Sequence, residues 1–264
     1  DNAQVMAGKI KIDGRDITEA GEDELRHIRW KEIAIIFQGA MNALNPVRRV
    51  GDQIVEALRI HEKLSEKEAC RRVAGLFEQV EIDPDRACEY PHEFSGGMRQ
   101  RVMIAMAIAC NPKVVIGDEP TTALDVMVQA QVLQLLETLR RDREMGMILI
   151  THDLSVVGET CDRVAVMYDG QIVEDGPTEK VFSDPAHPYT RALIKAFPNI
   201  EGERHLASSI PGNPPNLLYP PSGCRFHERC TEAVERCSLL EPPVVDLAGG
   251  HRASCHLLQG MVRI

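Results

Sequence analysis

At 264 residues the chain suits one large domain, or one domain with an appendage. Its 44% apolar content supports a packed core, and its formal charge of -10 argues against general nucleic-acid binding, which calls for a basic face. The longest apolar run, Val102 to Cys110, falls well short of the roughly 18 residues a spanning helix needs, and no secretory leader pattern opens the chain. The expectation is a soluble subunit able to rest against a membrane partner.

Lys9 to Ile12 alternates like a strand, and Asp13-Gly14 marks a tight turn. Glu32 to Phe37 reads as a short buried strand ending at Gln38. Val50, Ile54, Ala57 and Leu58 share one helical face. Ser65 with Glu68 forms a capping box before a second helix, whose core stripe is Ala69, Val73, Leu76, Phe77 and Val80. Ser95-Gly96-Gly97 leads into a helix over 98–109. A strand is expected over 113–117, an amphipathic helix over 126–143 and a strand over 147–150, with His152 just beyond. A hairpin follows over 163–174, turning at Asp169-Gly170. From about 184 to 218 prolines recur and periodicity fades, with five prolines between Pro211 and Pro221. Alternating strands and helices predict an α/β domain with a largely parallel sheet.

Two stretches carry chemistry. In Val114-Val115-Ile116-Gly117-Asp118-Glu119-Pro120, apolar residues cross the sheet and two carboxylates emerge at its C-terminal edge, where open α/β sheets bind ligands. Asp118 can hold Mg2+ and Glu119 can polarise an attacking water, although an acidic strand end is by itself an ordinary feature. In Phe94-Ser95-Gly96-Gly97-Met98-Arg99-Gln100-Arg101, a helix opens with exposed backbone N–H groups that favour an anion, although alone it is a plain helix start.

Taken in order, Gln38 after a strand, the Ser95-Gly96-Gly97 turn, Asp118-Glu119, Leu124-Asp125 and His152 after a strand resemble the ABC ATPase family at five places. They match its Q-loop, signature motif, Walker B pair, D-loop and switch histidine. The stretches FQGAMNALNPV (37–47), YPHEFSGGMRQRVMIAMAIACNP (90–112), DEPTTALDV (118–126), THDLSVVGETCDRVAVMYDGQIVEDGP (151–177) and HPYTRALIKAFP (187–198) resemble the ATP-binding subunits of oligopeptide and dipeptide importers and their nickel-importing relatives.

That resemblance implies a P-loop NTPase-type ABC ATPase domain over 1–183, with a helical subdomain at about 51–111, and an irregular metal-binding appendage over 184–264. It implies ATP sandwiched head to tail between two cassettes. Ser95, Gly96 and Gly97 would face the γ-phosphate held by the partner. Glu119 would activate water, His152 would contact the γ-phosphate, Asp118 and Gln38 would serve Mg2+, and Asp125 would lie beside the nucleotide. The implied partners are a second, different ATPase subunit, two permease subunits near Met41 to Pro46, and indirectly an extracytoplasmic peptide-binding protein, with no nucleic acid. The implied location is the cytoplasmic face of the cell membrane, held peripherally. No GxxxxGK followed by Ser or Thr occurs in the sequence. The P-loop supplies amides, a Lys and a hydroxyl to the phosphates and Mg2+. Truncation explains its absence better than decay, and the chain alone is expected to bind nucleotide poorly and to be inactive.

Cys224, Cys230, Cys237 and Cys255 crowd a proline-rich tail. Disulfides are disfavoured in a cytoplasmic ATPase. A four-cysteine zinc site is chemically sound but lacks short CxxC pairs. Four thiolates also hold iron–sulfur clusters. The tail resembles the C-terminal region of peptide-importer ATPases, where four cysteines carry a 4Fe-4S cluster. Iron–sulfur is the favoured reading, with zinc and unligated thiols as alternatives and His227, His251 and His256 as alternate ligands. Rival functions are import of nickel or another small solute, a soluble non-transport ABC ATPase, and a non-hydrolysing regulatory subunit.

Overall fold

The computed structural model describes residues 5–39, 43–196 and 210–259. The chain divides into two compact units, Asp1–His152 and Asp153–Ile264. Among the described residues no helix is long and apolar enough to cross a membrane.

The first unit opens with the antiparallel pair β1 (Lys11–Ile12) and β2 (Arg15–Asp16), then α1 (Glu22–Ile28). Its centre is a three-stranded parallel sheet of β3 (Ile33–Ile36), β4 (Val114–Asp118) and β5 (Gly146–Ile150), with β4 in the middle. Register places Ile36 beside Gly117, Gly117 beside Leu149 and Asp118 beside Ile150. The strand sequences are rich in Val and Ile, whose branched side chains suit a pleated, buried surface.

Four helices supply the core: α2 (Val50–His61), α3 (Glu66–Gln79), α4 (Gly96–Ile108) and α5 (Val126–Asp142). Ile54, Leu58, Phe77, Ile104 and Ile108 are fully buried with Ile36 of the sheet. Each such side chain contributes roughly 1.5–3 kcal/mol on burial. The expected capping box at α3 forms in both directions between Ser65 and Glu68. The other sheet face carries Ile35, Ile148 and Ile150, all exposed.

In the second unit, α6 (Leu154–Thr160) precedes the hairpin β6 (Arg163–Tyr168) and β7 (Gln171–Pro177). Next come α7 (Thr178–Ser183), α8 (Pro188–Ala196), α9 (Glu235–Leu239), β8 (Val244–Asp246) and β9 (Arg252–Ser254). The sheet order is β6-β7-β9-β8, all antiparallel, with Glu174 paired to Ala253. The boundary expected at about 184 falls inside this unit, between α7 and α8.

α8 lies where periodicity was expected to fade. Its sequence is short, and a buried carboxylate fixes its entry. Glu174 accepts from the backbone N–H of Ala186 (2.7 Å) and His187 (2.9 Å), and from His251 Nε2 (2.7 Å). The side chain of Glu174 is fully buried, so these partners offset the cost of burying its charge. Tyr168, Tyr189 and Phe226 pack ring against ring beside it, with centroids 4.6–5.3 Å apart.

Candidate active site

The three parallel strands all point their C-terminal ends at one edge, and that edge gathers the site. Gln38 follows β3, Asp118 ends β4 with Glu119 just after it, and His152 follows β5. Ligands bind at this edge in open α/β sheets because loops and side chains from adjacent strands converge there.

Glu119 is the hub. Its Oε2 accepts from Gln38 Nε2 at 2.7 Å and from Thr122 Oγ1 at 2.8 Å, while Oε1 lies 3.0 Å from His152 Nδ1. An ionised carboxylate only accepts, so Nδ1 carries the proton in this pair and Nε2 is left for another partner. The hydrogen bond from His152 is the main cause that holds the Glu119 carboxyl below the usual carboxylate range, followed by that from Thr122. Three of about four acceptor positions are taken, which leaves room for one water.

The backbone at Glu119 is unusual for a residue with a side chain, with φ at +45°. Its N–H donates to Ile150 O at 2.9 Å, and its own carbonyl accepts from Thr122 N at 3.1 Å. These bonds hold a left-handed conformation that a non-glycine residue adopts at a cost of order 1–3 kcal/mol, a cost typical of functional sites.

A second group forms around the start of α4. Ser95 caps the helix, its hydroxyl accepting from Met98 N at 3.3 Å. A Cβ on Gly97 would lie 2.5 Å from Val128 Cγ1, and one on Gly96 would lie 3.7 Å from Leu124 Cδ2. Gly97 is therefore needed for the approach of α4 to α5. Asp125 caps α5 by accepting from Val128 N at 3.0 Å. The structure thus brings Gln38, Glu119 and His152 together, and separately joins Ser95-Gly96-Gly97 to the 124–128 turn. Asp118 stands half-buried at the end of β4.

Thr122 is the residue that sequence reasoning left without a role. It stands three positions after Glu119 in Asp118-Glu119-Pro120-Thr121-Thr122, the offset at which one turn returns a hydroxyl to a carboxylate. Of the segment expected near the permeases, residues 41 and 42 lie outside the described residues. Leu44 is buried and Asn45 N donates to Gln53 Oε1 at 2.9 Å. Residues 197 and 198 of the HPYTRALIKAFP stretch also lie outside them.

The four C-terminal cysteines are free thiols, with Cys237 and Cys255 buried and Cys224 and Cys230 half-buried. Burial pushes the thiols of Cys224, Cys230 and Cys255 up, and neighbouring cysteines of the group add to this at each. The four therefore share one electrostatic neighbourhood. Among the described residues no three His, Cys, Asp or Glu side chains converge in a metal-holding arrangement. The alternate histidines have other partners: His251 pairs with Glu174, His227 Nδ1 meets Cys224 O at 2.8 Å, and His256 Nε2 meets Leu240 O at 2.8 Å.

Comparison with known proteins gives the same picture. A family model described as ABC transporter matches residues 1–122, and one described as oligopeptide/dipeptide transporter, C-terminal region, matches 173–237. The oligopeptide transport ATP-binding protein OppD of Escherichia coli (strain K12) is 46% identical over 95% of this chain and 74% of its own length. The OppD of Bacillus subtilis (strain 168) is 48% identical over 95% of this chain and 71% of its own length. The dipeptide transport ATP-binding protein DppD of Escherichia coli (strain K12) is 45% identical, with shares of 96% and 78%. Among solved structures, the ATP-binding cassette MJ0796 in a dimeric post-hydrolysis state bound to ADP and Pi aligns with TM-score 0.60 and 28% identity. It covers 67% of this chain and 75% of that chain. The cbiO1 protein of Clostridium perfringens, part of the ABC transporter complex cbiONQ, aligns with TM-score 0.60 and 29% identity, with shares of 68% and 69%. The fold is that of an ABC ATPase, and the chain belongs to the family of ATP-binding proteins of oligopeptide and dipeptide ABC transporters.

Proposed function

We propose that the chain hydrolyses ATP to energise peptide import, with Glu119 as the group that orients and deprotonates the attacking water. The observation that carries this reading is the convergence of Gln38, Thr122 and His152 on one carboxylate at the C-terminal edge of the sheet. Phosphoryl transfer depends on positioning and charge neutralisation, and a carboxylate fixed by three neighbours is a positioned base.

The remaining residues take roles consistent with their placement. Asp118, with Gln38, would hold Mg2+, which would supply neutralisation of the phosphate charge. His152, when doubly protonated, donates from its second ring nitrogen to the γ-phosphate while Nδ1 stays on Glu119. Ser95, Gly96 and Gly97 present the α4 N-terminus to the nucleotide of a partner cassette, and Asp125 fixes the turn beside them. Residues 1–183 form the ATPase domain and 184–264 the appendage. The partner is a second ATPase subunit, different in sequence, and both dock beneath two permease subunits that receive peptide from an extracytoplasmic binding protein. The subunit then sits peripherally on the cytoplasmic face of the membrane. The names of the relatives support the peptide cargo. Uptake of a labelled di- or oligopeptide by the reconstituted transporter tests this: uptake should need ATP. ATP-driven uptake of nickel but not of peptide would refute it.

We further propose that Cys224, Cys230, Cys237 and Cys255 hold a 4Fe-4S cluster, with Zn2+ as the alternative. Four thiols in one neighbourhood are a donor set that suits either. Loading would have to draw them together and release their protons, so it would staple an otherwise irregular tail. No step of ATP turnover involves them. Anaerobic purification followed by metal analysis decides the point: about four irons per chain with visible colour supports the cluster. One colourless zinc supports the alternative, and a metal-free chain removes both.

A further inference from the structure

The second unit contains a cavity of about 560 Å³ that is lined by none of the ATP-turnover residues. Its size falls within the roughly 300–1,000 Å³ of small-molecule sites. The lining combines charges of both signs with apolar surface: Lys180, Arg191 and His251, the carboxylate of Asp184, and the walls Ala186 and Leu247.

The walls are fixed in place. His251 Nε2 is 2.7 Å from the buried Glu174, which also holds the Ala186 N–H. Lys180 Nζ donates to Ala248 O at 2.8 Å, which leaves two of its three N–H groups for a ligand. Arg191 Nη2 donates to Glu232 at 3.1 Å, which holds its guanidinium at the cavity wall.

We propose that this cavity binds a small zwitterion of the amino-acid or dipeptide class. The ligand carboxylate pairs with Lys180 and Arg191, its ammonium with Asp184, and its apolar substituents with Ala186 and Leu247. A compact phosphate would be repelled by Asp184 and would leave the apolar walls unused. A wholly apolar ligand would strip water from Lys180 and Asp184 without replacing it.

Isothermal titration calorimetry of the full chain tests this with L-alanyl-L-leucine, its C-terminal amide, its N-acetyl derivative and inorganic phosphate. The free dipeptide should bind, and each blocked derivative should bind about tenfold more weakly or worse, because each loses one charge-assisted contact. Lys180→Met and Arg191→Met should weaken the dipeptide by a similar factor. Melting curves check the folding of both variants, and the blocked dipeptides on the unaltered chain give an answer that needs no variant. Absence of dipeptide binding overturns the proposal. So does equal binding of the free and blocked dipeptides, or phosphate binding as tightly as the dipeptide.

Discussion

His152 Nδ1 stands 3.0 Å from Glu119 Oε1, and this contact is the main cause that depresses the Glu119 carboxyl below its ordinary range. Glu119 therefore stays ionised through neutral and mildly acidic pH. Its folded pKa is lowered, so the stabilisation it gives is present above the unfolded value and is lost as pH falls through the folded one. His152→Ala should move the Glu119 titration upward, toward the ordinary carboxylate value, in a carboxyl-carbon NMR titration. An unmoved titration would mean that the pair does not form in solution.

Gly97 has no space for a side chain, because a Cβ there would sit 2.5 Å from Val128 Cγ1. Gly97→Ala should destabilise the chain by about 1–3 kcal/mol through overpacking between α4 and α5. Adding Val128→Ala should recover much of that loss, since the clashing methyl group is removed. Denaturant melts of the single and double variants measure the coupling. Strict additivity would contradict the packing account.

His187 is almost fully buried, and burial lowers its pKa from the ordinary 6.5 to about 4. The unfolded chain binds this proton more readily than the folded one between those values. Stability is then complete above about pH 6.5 and falls as pH drops toward 4, by about 3 kcal/mol from this group. His187→Gln should flatten that part of the curve in urea unfolding across the range. An unchanged slope would assign the acid sensitivity to other groups.

Much of the site was legible in the sequence because it lies at strand ends. Gln38, Glu119 and His152 each follow a short apolar run, and parallel strands force such positions to one edge. The Ser65–Glu68 cap was legible because capping is local. Three features were not. Thr122 has a role only once the turn at Glu119 adopts its left-handed backbone. The need for glycine at 97 arises from Val128, thirty-one positions away. Helix α8 depends on Glu174, whose partners at 186, 187 and 251 meet only in the folded unit. The cysteine tail shows the same limit: its donor set is visible in the sequence, but the placement of its thiols is a tertiary property.

The central claim is that Glu119 activates the water that attacks ATP. It is tested most directly by Glu119→Gln in the assembled transporter, through measurement of steady-state ATP hydrolysis beside nucleotide binding. Gln keeps the shape and can still meet Thr122 and His152, but it cannot take a proton. Turnover should fall about a hundredfold to ten-thousandfold while ATP binding is retained. Turnover close to that of the unaltered protein would contradict the account and move the base elsewhere.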